Sequence, residues 1–203
     1  MLAFLSKGGL LVIPILFCSV LVLAIFFERM IRYAANRRRG KEIEVKIADL
    51  MTKGFEEDAL ALSRQSNSPM GRILEKAIQA RDLDKDTLES VIVNATENEV
   101  RGLSAYLQAL ATIGNIAPLL GLLGTIIGMI KAFMVIQDMG GKVNAAVLAG
   151  GIWEAMLTTA LGLAVALPTM VAHSFLLSKV DKYEARLQIG WVLSLKAVPV
   201  KDR

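Results

Sequence analysis

GLSAYLQALATIGNIAPLLGLLGTIIGMI, residues 102–130, runs without a formal charge. At about 1.5 Å per residue, a helix of this length more than spans the roughly 30 Å of hydrocarbon in a bilayer. The whole chain has the same bias: of 203 residues 54% are hydrophobic and 21% charged, too apolar a balance for a protein that must hide its greasy surface inside itself. Working outward, Val143 to Ser178 carries a single formal charge, Glu154, and no charge falls between Lys7 and Glu28. Three membrane spans follow, the first centred on Leu10 to Phe27. A cleaved signal peptide is disfavoured for that first run, because no small-residue cleavage site follows it. Glu28, Arg29, Arg32 and the run Arg37, Arg38, Arg39 come next instead, a stop-transfer flank.

The net charge of +4 gains meaning from where it sits. With the N-terminus outside, Lys7 and Lys142 face out and Lys131 lies near the outer end of the second span. The other twenty of the 23 basic residues are then cytoplasmic, as the positive-inside rule asks. The basic excess is thus a topology signal and gives no reason to expect nucleic-acid binding. The expected architecture is all-α and polytopic, with three transmembrane helices extended into a cytoplasmic helical bundle, N-terminus out and C-terminus in. Its segments are 1–29 (N-terminus and first transmembrane helix), 30–101 (cytoplasmic helical region), 102–136 (second transmembrane helix), 137–143 (short periplasmic loop), 144–178 (third transmembrane helix) and 179–203 (cytoplasmic C-terminal helix or tail).

Residues 30–101 alternate charged and apolar positions at helical spacing. Gly54 marks a helix C-terminus, and Glu56, Glu57 and Asp58 suit the first turn of the next helix. Ser68 with Pro69 reads as an N-cap and first-turn pair, and Asp84 as the cap of a long helix running through Glu97 and Glu99. Caps and solvated faces account for these acidic residues, which receive no catalytic part.

Two stripes of small residues stand out. In the second span Gly114, Pro118, Gly121, Thr125, Gly128 and Ala132 recur at alternating steps of four and three, which keeps them on one helix face. In the third, Gly151, Ala155, Thr159, Gly162, Ala166 and Thr169 follow at steps of four, four, three, four and three, again on one face, with His173 one turn further. Such stripes either let helices pack closely, with threonine hydroxyls bonded back to carbonyls, or leave a lumen when several copies surround an axis. Glu154 favours a functional reading, since an ionisable group inside a span is costly and marks a site able to exchange a proton. His173 reads as a helix-end residue and Cys18 as a small hydrophobe in an apolar run. One cysteine and one histidine provide neither a disulfide framework nor a zinc site, and no cofactor or metal is expected. Gly121, Gly124 and Gly128 form no phosphate loop, lacking a preceding strand and a Gly-Lys-Ser/Thr ending. No nucleophile and base pair recommends an enzyme. One carboxylate and a few hydroxyls fall short of a conduction path, so either the chain is a non-conducting scaffold or a partner brings the missing acid.

The run Ala117-Pro118-Leu119-Leu120-Gly121-Leu122-Leu123-Gly124-Thr125-Ile126-Ile127-Gly128-Met129, followed by Phe133, resembles the second-span motif of the MotA/TolQ/ExbB proton-channel family. Gly151-Ile152-Trp153-Glu154-Ala155-Met156-Leu157-Thr158-Thr159-Ala160-Leu161-Gly162-Leu163, ending Ala166-Leu167-Pro168, resembles its third-span motif. Three spans match the ExbB/TolQ branch rather than the four-span flagellar type. The resemblance implies a bacterial inner-membrane homopentamer around a pore. That pore would hold a dimer of an ExbD- or TolR-like single-span partner, whose transmembrane aspartate carries the proton. It places pore threonines at Thr125 and Thr159 and the third-span glutamate at Glu154; the small residues of the two stripes, Gly114, Pro118, Gly121, Gly128, Ala155, Gly162 and Ala166, are then expected to pack the pore face. It further implies a TonB-like transducer serving uptake through the outer membrane, or, for the TolQ alternative, a TolA-like one serving envelope integrity and division.

Overall fold

A computed structural model describes residues 9–138 and 145–197, with side chains for all of these except 37–42, 44, 145, 147 and 189–197. Six helices account for nearly all of it: α1 (Val12–Thr52), α2 (Glu56–Gln65), α3 (Pro69–Gln79), α4 (Lys85–Ser104), α5 (Leu107–Asp138) and α6 (Ala145–Ala197). The all-α expectation holds. Lys7, Lys142 and most of the connection read at 137–143 lie outside the described residues. The chain divides into two compact units, one of residues 1–27 and 106–175, the other of 28–105 and 176–203.

Among the described residues three helix segments are long and apolar enough to cross a membrane, and the first unit is built from parts of them. Ile15 and Leu110 are buried between its helices, but many of its large side chains are exposed: Leu119 is 61% exposed and Phe133 59%, and Phe17, Val20, Leu122 and Ile126 are exposed as well. In water this surface would be a large uncovered apolar patch, whereas in hydrocarbon it is already solvated.

The second unit has a conventional core. Ile47, Met51, Ala59, Met70, Ile73, Leu74, Leu88, Ile92, Ala95 and Leu187 are buried together, drawn from α1, α2, α3, α4 and α6 at helical spacing. The punctuation read from the sequence is in place. Gly54 takes φ +79, and the N–H of Phe55 reaches back to the Leu50 carbonyl at 3.0 Å, closing α1 in the left-handed manner that suits glycine. The Ser68 hydroxyl accepts from the Gly71 N–H at 3.1 Å, ahead of Pro69. Across the surface Arg72 holds Glu99 in a two-pronged ion pair, Nε to Oε1 at 2.6 Å and Nη2 to Oε2 at 2.5 Å. The hydrogen bond to Glu99 holds the Arg72 guanidinium above its ordinary value.

Asp84 caps α4, its carboxylate accepting from the Thr87 N–H at 3.0 Å. Hydrogen bonding from Thr87 holds this carboxyl below the usual aspartate value, because the ionised form is the better acceptor. The cap is therefore complete above the unfolded aspartate range and is lost as pH falls through the lowered folded value. The expected result is that the Thr87 amide resonance titrates with a midpoint below that of a free aspartate. In Asp84→Asn this titration should vanish.

One break was not foreseen. The helix that starts at Asp84 does not run on into the second span: Ala105 is extended (φ −52, ψ 142) and Tyr106, a non-glycine, takes φ +65. The last carbonyls of α4 are instead satisfied from α1. Arg29, with no exposed surface, donates from Nη1 to Gly102 O at 3.2 Å and Leu103 O at 3.4 Å, and Tyr33 donates to Leu103 O at 2.8 Å. Glu28 lies 2.7 Å from the Arg29 Nε. A cation at a helix C-terminus answers both the free carbonyls and the helix dipole. Arg29 thus does more than flank a span.

Candidate functional site: the seam between α5 and α6

The small residues of α5 and α6 meet each other within one chain. The buried line on α5 is Gly114, Ala117, Gly121, Gly124, Gly128 and Ala132, so Ala117 and Gly124 stand where the four-and-three spacing took Pro118 and Thr125. Those two sit one position round the helix, half-buried on the flank. On α6 the buried line is Ala155, Thr158, Ala166 and Thr169 with Gly162, and Thr159 and Gly151 are half-buried beside it.

The approach is close enough to require glycine. A Cβ on Gly162 would lie 2.6 Å from the Ala117 carbonyl oxygen and 3.2 Å from the Gly121 Cα, both backbone atoms. One on Gly128 would press on Ala155 at 3.0 Å, and one on Gly151 on the Ala132 Cβ at 2.7 Å. Gly124 faces the Thr158 side chain and Gly114 faces Met170. Within hydrocarbon, where apolar side chains gain little by leaving lipid, such backbone proximity is what favours helix association.

The hydroxyls are directed by carbonyls. Thr159 donates across the seam to Gly121 O at 3.0 Å. Thr158 donates to Ala155 O at 2.7 Å and Thr125 to Leu122 O at 2.6 Å, each within its own helix. A hydroxyl whose proton is committed in this way presents its remaining lone pairs as acceptors. Thr159 is therefore suited to receive a hydrogen bond from a protonated acid, while helping to tie α5 to α6.

Glu154 lies on α6 one turn before Thr158. Its side chain is 32% exposed and its Oε1 is 3.7 Å from the Lys131 ammonium on α5. The two groups share a cavity of about 210 Å³ that Thr158, Gly124 and Gly9 also line. The carboxylate is thus flanked by a cation, a relation hidden from the sequence because the two residues belong to different helices. His173 is half-buried on the same helix, 19 residues further on, or about 28 Å along the axis. Direct proton exchange with Glu154 is ruled out at that distance. Among the described residues no cluster of His, Cys, Asp and Glu could hold a metal ion.

Residues 65–189 match the MotA/TolQ/ExbB proton channel family. The chain is 29% identical over 184 residues to the biopolymer transport protein ExbB of Salmonella typhimurium, covering 86% of this chain and 75% of that one. It is also 29% identical over 166 residues to the putative biopolymer transport protein ExbB-like 3 of Synechocystis, covering 81% and 79%. With a putative ExbB homolog of Methanothermobacter thermautotrophicus it shares 34% identity over 139 residues, 66% of this chain and 47% of the relative.

Proposed function

The chain belongs to the MotA/TolQ/ExbB proton channel family, on its ExbB-like branch, and from this we propose that it is the multi-pass stator subunit of a motor driven by the proton motive force. It assembles as a homopentamer in the inner membrane, N-terminus out and C-terminus in. The assembly surrounds a dimer of a single-span partner whose intramembrane aspartate carries the proton. The partner's outer part passes mechanical work to a TonB-like transducer that energises transport across the outer membrane. The names of the ExbB relatives favour this client over the Tol-type one.

The observation that carries the reading is Glu154, an ionisable side chain in the third apolar helix, one turn from the threonines of a glycine-packed seam. In this account Glu154 and the hydroxyls of Thr125 and Thr159 line the proton path. The glycines and alanines hold those groups in register without joining the chemistry. Thr159 accepts a hydrogen bond from the partner's acid when that acid is protonated, and releases it when the proton leaves.

Thr159→Val keeps the shape and removes the hydroxyl. Losing one hydrogen bond in a partly desolvated site costs about 1–3 kcal/mol, so partner-dependent proton flux should fall about tenfold, with Thr159→Ser close to wild type. Undiminished flux in Thr159→Val would remove that residue from the path. A non-conducting scaffold makes the opposite forecast, tolerating changes at Thr159 and Glu154 while failing when the region from Glu42 to Asp86 is deleted.

A further inference from the structure

We propose that Lys131 and Gly9 are positioning residues for Glu154, clasping its carboxylate at one end of the α5–α6 seam so that it is presented to the proton path in one orientation. The proposal rests on the proton-path reading of Glu154. Three separate stretches of chain converge on this group. From α5 comes Lys131, whose Nζ lies 3.7 Å from Oε1 while its side chain stays 60% exposed. This is how a lysine lays its stem along an apolar helix and delivers the ammonium at the tip. From α6 comes Glu154 itself. From the lead-in to α1 comes Gly9, in the left-handed region at φ +69, where a Cβ would collide with Glu154 Oε1.

Both the backbone conformation and the space at Gly9 call for glycine, and the space is taken by the carboxylate. Among the described residues, Lys131 is the cation brought to Glu154. A charge within a span is costly unless paired, and a glutamate left alone would distribute itself over several rotamers. The ammonium on one side and the Gly9 backbone on the other restrict it to one. Lys131 touches neither a substrate nor a partner in this scheme and acts through Glu154.

The test has two arms, both on the full-length chain. In the first, the protein in lipid nanodiscs is treated with a water-soluble carbodiimide. The reagent activates the Glu154 carboxyl, the deprotonated Lys131 amine displaces it, an amide bond forms, and the displaced oxygen leaves on the urea. Mass spectrometry should find the Lys131–Glu154 cross-linked peptides in wild type, and several-fold less of them in Gly9→Ala. In the second arm, proton flux is measured in liposomes holding the chain with its single-span partner. Lys131→Met should lower flux about tenfold and Lys131→Arg should retain most of it. On a Glu154→Gln background Lys131→Met should change nothing further. A folded wild type without the cross-link overturns the clasp, as does full flux in Lys131→Met or failure of Lys131→Arg to rescue. Undiminished flux in Glu154→Gln alone overturns the proton-path reading, with the cross-link still reporting on the contact, so the two failures are told apart.

Discussion

Glu154→Gln is expected to reduce partner-dependent proton flux by about two orders of magnitude or more. Glutamine matches the carboxyl group in size and can still hydrogen-bond, but it has no titratable proton. Any step in which this residue takes up and returns a proton is therefore removed rather than slowed. The substitution also deprives Lys131, 3.7 Å away, of its counter-charge. The ammonium left without its partner costs the fold little, because the Lys131 side chain is 60% exposed and the position of Glu154 a third exposed. Flux should consequently collapse in a protein that still elutes as the wild-type oligomer with unchanged helicity. The measurement is the decay of an imposed pH gradient across liposomes containing the chain and its partner.

Gly162→Leu is expected to have the largest effect on the fold. The added side chain would begin 2.6 Å from the Ala117 carbonyl oxygen and 3.2 Å from the Gly121 Cα. Neither atom can swing aside, since both belong to the backbone of α5, so the helices must part. Overpacking a close contact typically costs about 1–3 kcal/mol. Here the rest of the seam is lost with it, including the Thr159 to Gly121 hydrogen bond, so a loss of roughly 3 kcal/mol or more is expected. Thermal unfolding in detergent micelles followed by circular dichroism would show it as a large downward shift. Gly150→Ala is the control. Nothing lies within 4 Å of a Cβ at Gly150, and alanine in place of an exposed helical glycine should raise stability by about 0.5–1 kcal/mol.

What could be read from the sequence divides along physical lines. Membrane-crossing helices follow from where charges are missing, a property of each segment alone, and residues 12–27, 107–130 and 148–178 of the three uncharged or nearly uncharged runs lie in helices long and apolar enough to span. Gly54, Ser68 and Asp84 were legible for the same reason: a cap is settled by residues three or four positions away. The break at Ala105 and Tyr106 depends on Arg29 and Tyr33, more than seventy positions earlier, which take over the α4 carbonyls. Nothing local announces it.

The site shows the same division. Glu154 was conspicuous as a lone charge in a span. The stripe on α5 was visible too, but the buried line runs through Ala117 and Gly124. With glycines at 121, 124 and 128 several faces are nearly bare, and only the partner helix chooses among them. The pairing of Lys131 with Glu154 and the approach of Gly9 depend on the register of three separate segments, and spacing along one helix contains no such information.

Co-reconstitution decides whether this chain supplies a proton path that a partner's acid completes. Liposomes carrying the purified chain alone, or the chain with its single-span partner, are given a pH gradient and a membrane potential, and the internal pH is followed with a trapped dye. Only slow leakage is expected from the chain alone, rapid flux with the partner, and a return to leakage when the partner's intramembrane aspartate is changed to asparagine. Equal flux with and without the partner, or no flux from an assembled complex, would contradict this.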